Sequence, residues 1–293
     1  LAAGGAKPSK QGGSLKVGTP LLPPLPKDCT DRNRTSPFAF TGNKFEFRMV
    51  GSSQSTAGPC FTLNTIVADV LMEIADVLEK SQDVRADVQK LLKQFATDHA
   101  RIIFNGDNYG PEWVLEAQRR GLPNLRSTVE SLAPMLDKEH VALFERQGVL
   151  GRHELQARTE ILYENYSKTL NIEAGVTLEI AKRQILPRCM RYATRLARSI
   201  KELTAAEADA PVQKRELHKV SRLIEELSGA IDALEKAVGK ARASDTTLSK
   251  AESFRDEVFP AMGAVRKIAD TLETLVDADL WPLPSYAQML FTR

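Results

Sequence analysis

Cysteine is scarce: Cys29, Cys60 and Cys189 are odd in number and far apart in a chain of 293 residues. That pattern argues against a disulfide framework and points to a reducing, cytoplasmic setting. No apolar run approaches the roughly 18 residues of a membrane span, and residues 1–30 lack the apolar core of a secretory signal. Neither membrane attachment nor export is expected. The net charge of +2 is too small to suggest nucleic acid as a partner. The chain has no GxxxxGK[ST] loop and no G-x-S-x-G, which excludes a Walker-type nucleotide site and a nucleophile elbow. Its four histidines, His99, His140, His153 and His218, fall singly, with no His-x-x-x-His pair and no accompanying carboxylate cluster. They read as surface or helix-packing residues rather than zinc ligands.

What the chain does hold is an unusual charged segment, Asp31 to Met49, DRNRTSPFAFTGNKFEFRM. Side chains alternate faces along a strand, so Lys44, Glu46 and Arg48 would share one surface and Phe45, Phe47 and Met49 the other. Thr41-Gly42-Asn43 separates this run from Phe38-Ala39-Phe40, and Gly and Asn tolerate the backbone of a short hairpin connection. Arg32 and Arg34 precede the first strand. One carboxylate among four cations suits an anionic, metal-bearing ligand, the cations neutralising phosphate and the carboxylate holding a hard divalent ion. A solvated strand face is the bland alternative. Charge distribution agrees with the first reading: residues 1–60 hold eight Lys or Arg against Asp28, Asp31 and Glu46, a balance of +5, and the remainder carries −3.

The string RNRTSPFAFTGNKFEFR, followed by MVGSSQS and a helix opening at NTIVA, resembles the active-site hairpin of glutamine synthetase, most closely the large type III form. The similarity extends to the C-terminal WPLPSYAQMLF. The resemblance implies an ATP-dependent ligase that joins ammonia to L-glutamate through a γ-glutamyl phosphate. It places contact with the ATP phosphate and transferring phosphoryl group on Arg34, nucleotide-phosphate binding on Lys44, a divalent-metal ligand on Glu46, and glutamate binding with acyl-phosphate stabilisation on Arg48. The implied cofactors are ATP and Mg²⁺ or Mn²⁺, and the implied assembly is a homo-oligomer, a ring-stacked dodecamer. One departure stands out: bacterial type I members carry a further phosphate-binding Arg where this chain has Ala39. The Gly51 to Ser55 loop borders the active site in the family and is otherwise a polar turn.

The resemblance also implies several further metal-binding carboxylates, a His and the adenine site on strands before this segment. Residues 1–30, rich in Gly, Lys and Pro with no acidic residue before Asp28, supply none of them. They read as a connecting loop, extended at the Pro-rich Leu21 to Pro26. The first residue is Leu1 rather than Met. The expectation is therefore a C-terminal fragment, inactive alone, with the remaining ligands upstream of Leu1. Residues 1–60 would be the end of the catalytic domain and residues 61–293 a helical C-terminal region.

After about residue 60 the apolar spacing becomes helical. Leu63, Ile66, Val67, Val70, Leu71, Ile74 and Leu78 predict an amphipathic helix from Phe61 to about Lys80. Further helices are expected at Val84–Asn105, 111–120, 124–135, 137–148, His153–Leu170 and Val176–Leu203, with Pro187 bending the last. Leu217, Val220, Ile224, Leu227, Ile231, Leu234 and Val238 form the strongest seam, and Val258, Met262, Val265, Ala269, Leu272 and Val276 continue it beyond a polar link at Gly239 to Thr247. These two arms should form a long antiparallel helical hairpin, bent at Pro260. The expected fold class is α+β, a short active-site β-hairpin from the edge of a catalytic sheet followed by a mostly helical region. A competing function is a helical oligomerisation or scaffold module without catalysis.

Overall fold

In the computed structural model, the description covers residues 55–104 and 110–291, together with the backbone of a few short extended segments before them. Over those two ranges every regular element is helical. The α+β expectation is thereby corrected to an α-helical architecture. The strand pairings are isolated ladders, Ser14–Leu15 with Leu25–Pro26 and Phe38–Phe40 with Phe45–Phe47, and neither joins a further strand among the described residues. The physical reason lies in the sequence: alternation lasts only a few residues, and a ribbon of two such strands is marginal in water. Three- and four-residue periodicity, by contrast, runs through some 200 residues.

The chain divides into two compact units, residues 1–124 with 142–150, and residues 125–141 with 151–293. The first unit contains α1 (Ala57–Leu78), α2 (Val84–Asp98), a 3-10 turn (Ala100–Ile102) and α3 (Pro111–Arg119). Helix α1 starts four residues before the expected Phe61, with Pro59 in its first turn, where a missing N–H costs nothing. Asp83 caps α2, its side chain accepting from the Ala86 N–H at 3.0 Å. Phe61 meets Phe144 edge-on with centroids 6.1 Å apart. Asp69 accepts both prongs of the Arg146 fork at 2.8 and 2.6 Å, tying α1 to the end of α5 (Lys138–Arg146).

The second unit is built on three long helical rods. The first is α6 (Arg152–Ile180), a π-helical turn (Ala181–Ile185) and α7 (Leu186–Ala205) in unbroken succession. Two separate helices were expected here. Gly175 lies where the gap was placed, and a single glycine costs only about 1 kcal/mol inside a helix, too little to end it. At 1.5 Å per residue this rod is about 80 Å long. The second rod is α8 (Pro211–Arg242), and the third comprises α9 (Thr247–Ser253), a π turn (Phe254–Val258) and α10 (Phe259–Glu273). Helix α8 folds back along α7, and α10 folds back along α8.

Each π turn ends two residues before a proline. The Leu186 N–H reaches back five residues to Ala181 O, and the Phe259 N–H likewise to Phe254 O. Pro187 and Pro260 follow. A proline ring collides with the carbonyl four residues earlier, and the wider π turn relieves that collision without ending the rod.

The core of this unit lies where the three rods meet. Helix α8 buries Val220, Leu223, Leu227, Ile231, Leu234, Val238 and Ala241. Opposite them lie Phe254, Val258, Val265, Ala269 and Leu272 from the third rod, and Ala174, Ala181, Ile185 and Cys189 from the first. Leu223 takes the buried place expected of Ile224. Exposed polar ties link the rods: Lys182 with Glu235, Lys240 with Glu257 at 2.7 Å, and Arg242 with Asn171 at 2.8 Å. Such surface pairs contribute under about 1 kcal/mol each, so the apolar seam sets the arrangement. A smaller cluster gathers Val129 and Leu132 of α4 (Thr128–Leu132) against Tyr163 and Ala251. Among the described residues no helix is long and apolar enough to cross a membrane.

Candidate functional site

Of the residues expected to carry chemistry, Arg34, Lys44 and Arg48 lie outside the described residues. Glu46 is described in its backbone alone, in register opposite Ala39 within the Phe38–Phe40 and Phe45–Phe47 ladder. Eight residues of chain separate Arg48 from Ala57, the first residue of α1. The Ser55 hydroxyl there accepts the Ala57 N–H at 3.2 Å, meeting one of the donors that every helix start leaves open.

Perturbed ionisable groups are the usual sign of a catalytic centre, and each one in the helical region has a structural cause. Arg119, then Arg120, hold the Glu116 carboxyl down to about 2 through direct hydrogen bonds. The Arg146 fork, with Gln147 beside it, lowers Asp69. Backbone N–H groups of Ser127 and Arg126 lower Glu130, which closes a capping box at the start of α4. Burial pushes the Cys189 thiol up to about 11, and burial likewise raises Tyr163, whose hydroxyl donates to Val129 O at 3.3 Å. None of these groups is poised for proton transfer, since each is held in one ionisation state by a pair, a cap or a core. Among the described residues no group of three His, Cys, Asp or Glu could hold a metal ion.

Two constellations are absent from the sequence-level reading. In the first unit Arg120 donates to Ile103 O at 2.8 Å and to Glu116 at 2.5 Å, and its guanidinium lies 5.6 Å from the Phe104 ring centre and 5.9 Å from that of Trp113. This cation–π cluster fastens the end of the 3-10 segment to α3. In the second unit an apolar cleft of about 720 Å³ opens between the first and third rods, with Trp281 and Leu283 of the C-terminal segment completing its wall. Arg188 holds that segment by donating to Leu280 O at 3.1 Å, and Arg195 pairs with Asp277 at 3.1 Å. The Trp281 indole N–H is buried with no acceptor among the described residues.

A family model described as "Glutamine synthetase C-terminal domain" matches residues 87–204, from the first turn of α2 nearly to the end of α7. Residues 87–204 are therefore a C-terminal domain of glutamine synthetase type. A type-3 glutamine synthetase of Dictyostelium discoideum is 37% identical over 288 residues, 95% of this chain and 39% of that protein. Glutamine synthetases of Bacteroides fragilis (strain YCH46) and Butyrivibrio fibrisolvens are 31% and 34% identical over 96% and 91% of the chain, and over 40% and 38% of their own lengths. The chain thus carries a C-terminal domain of the type-3 glutamine synthetase family, and it spans about two fifths of the length of the curated relatives it matches.

Proposed function

We propose that this chain is part of a glutamate–ammonia ligase, to which residues 31–49 contribute phosphate, metal and glutamate contacts while residues 61–293 form an attached helical region. The observation that carries the reading is the string RNRTSPFAFTGNKFEFR, set in a chain that aligns with type-3 glutamine synthetase over 95% of its length. In this reaction the γ-carboxylate oxygen of L-glutamate attacks the terminal phosphorus of ATP and ADP leaves. Ammonia then attacks the acyl carbon and inorganic phosphate departs. Negative charge builds at both steps, and fixed cations are the means of stabilising it.

Arg34 would take the transferring phosphoryl group, Lys44 the nucleotide phosphates, and Arg48 the glutamate and its acyl phosphate. Glu46 fits as one ligand of Mg²⁺ or Mn²⁺, because a carboxylate suits a hard ion. A single carboxylate does not make a metal site. The other ligands would come from the part of the relatives' length that this chain does not span, and the chain alone would be inactive. A bound divalent ion would supply charge neutralisation at the phosphates. The helical region would serve a homo-oligomeric, ring-stacked assembly. A second reading, a helical scaffold without catalysis, draws support from the continuous seam along α8, which needs no active site to explain it.

The experiment is steady-state kinetics of Glu46→Ala in the full-length enzyme, following glutamine formation against Mg²⁺ concentration. Turnover should vanish, with metal dependence shifted to higher concentration. Wild-type turnover with unchanged metal dependence would remove Glu46 from the site and favour the scaffold reading. Arg34→Lys and Arg48→Lys keep the charge and lose the planar fork, so kcat/KM should fall roughly tenfold to a thousandfold.

A further inference from the structure

We infer that the cleft between the first and third rods of the second unit is a binding site for a small apolar amine, a site separate from the ligase chemistry and independent of that reading. Its volume of about 720 Å³ falls in the range of small-molecule sites. The first rod's π turn and Pro260 of the third rod line the cleft, and α10 packs chiefly on α8 and only sparsely on α6 and that π turn. The gap is thus built into two backbones.

Gly263 stands in the cleft wall in the middle of α10. A helical glycine costs about 1 kcal/mol relative to alanine. Here neither conformation nor packing requires it: its backbone is not left-handed, and a Cβ would meet no atom within 4 Å. A flat wall facing a ligand is a use for glycine that explains the cost.

The lining defines the ligand's chemistry. Ile180, Ile185, Met262 and Phe259, the last 58% exposed, offer apolar surface. At the mouth Arg266 and Asp270 neutralise each other at 2.8 Å, while Glu273, one turn further, has no partner among the described residues. The mouth therefore carries one uncompensated negative charge. An apolar body with a single ammonium matches it, and the Trp281 indole adds an aromatic surface of the kind that attracts cations.

Calorimetric titration of the full chain with 2-phenylethylamine, and with 3-phenylpropanoate as an anion of similar shape, tests the inference. The amine should bind saturably and the carboxylate should not. Glu273→Gln should weaken the amine at least tenfold. Gly263→Leu should abolish binding without lowering the thermal midpoint; should that variant fail to fold, Glu273→Gln decides. No saturable binding, equal binding of amine and acid, or an amine affinity unchanged by Glu273→Gln would overturn the site.

Discussion

Helices α1 and α8 carry nearly the same apolar spacing and have opposite fates. In α1, Ile66, Val67, Val70 and Leu71 remain 40–57% exposed, and Thr65 is the residue it buries. In α8 the buried stripe Val220, Leu223, Leu227, Ile231, Leu234 and Val238 is at most 6% exposed. Periodicity dictates that a segment is helical and amphipathic; burial requires a second seam to face it. Helix α8 has two, on α7 and α10, while α1 is held through a few contacts such as Phe61 with Phe144 and Asp69 with Arg146. Tertiary stability should therefore concentrate in the three-rod unit.

The sharpest way to break this contrast is truncation on each side of it. Leu227→Ala or Leu234→Ala, at fully buried positions, should cost about 2–5 kcal/mol. Leu71→Ala on α1 should cost under about 1 kcal/mol. Urea unfolding of the full chain compares them, and equal losses would erase the distinction.

Acid should separate the units next. Asp69 and Glu116, both in the first unit, have carboxyls held below their ordinary values by arginine hydrogen bonds. A depressed pKa contributes stability that is present above the unfolded value and lost as pH falls through the folded one. For Glu116 that window runs from 4.5 down to about 2. Hydrogen exchange across this range should show residues 57–104 and 110–119 losing protection first, while the apolar seam of the second unit keeps its own. Simultaneous loss would mean that the first unit does not depend on these pairs.

A smaller effect is expected at the start of α4. The Ser127 hydroxyl accepts the Glu130 N–H at 3.2 Å, so Ser127→Ala should cost about 1 kcal/mol, visible as a lowered thermal midpoint. No change would show that Glu130 caps the helix unaided. With no change in stability at all, iodoacetamide at neutral pH should modify exposed Cys60 and spare buried Cys189, whose raised pKa keeps it a thiol. Peptide mass mapping reads this directly, and native labelling of Cys189 would contradict the packing around it.

Much of the helical region was legible because its signal is local. Val220, Leu227, Ile231, Leu234 and Val238 were all marked by spacing alone, and all are buried. Leu223 and Ala241 join them because a helix flanked on two sides needs a wider stripe than a two-stranded seam. Pro187 and Pro260 were visible as disturbances, but the π turns before them were not, since nothing in the residue types distinguishes a bend from a widened turn. The α+β class was misjudged from a few alternating residues around Phe38 to Phe47. The cleft could not be read at all: Ile180, Gly263 and Trp281 are brought together by tertiary folding, and no spacing in the sequence records that. For the expected ligase site, the alternating charges of Lys44, Glu46 and Arg48 suggested only an anionic, metal-bearing ligand, and the individual roles came from the similarity of residues 32–48 to a known family.

The most direct test of the account is native-state hydrogen exchange of the full chain at neutral pH, resolved by peptide. Amides of residues 220–238 and 258–272 should be the slowest to exchange, opening only with global unfolding of the three-rod unit, while those of 57–78 should exchange orders of magnitude faster. Protection of 57–78 equal to that of 220–238 would contradict the claim that a facing seam, rather than apolar periodicity, decides where this chain is stable.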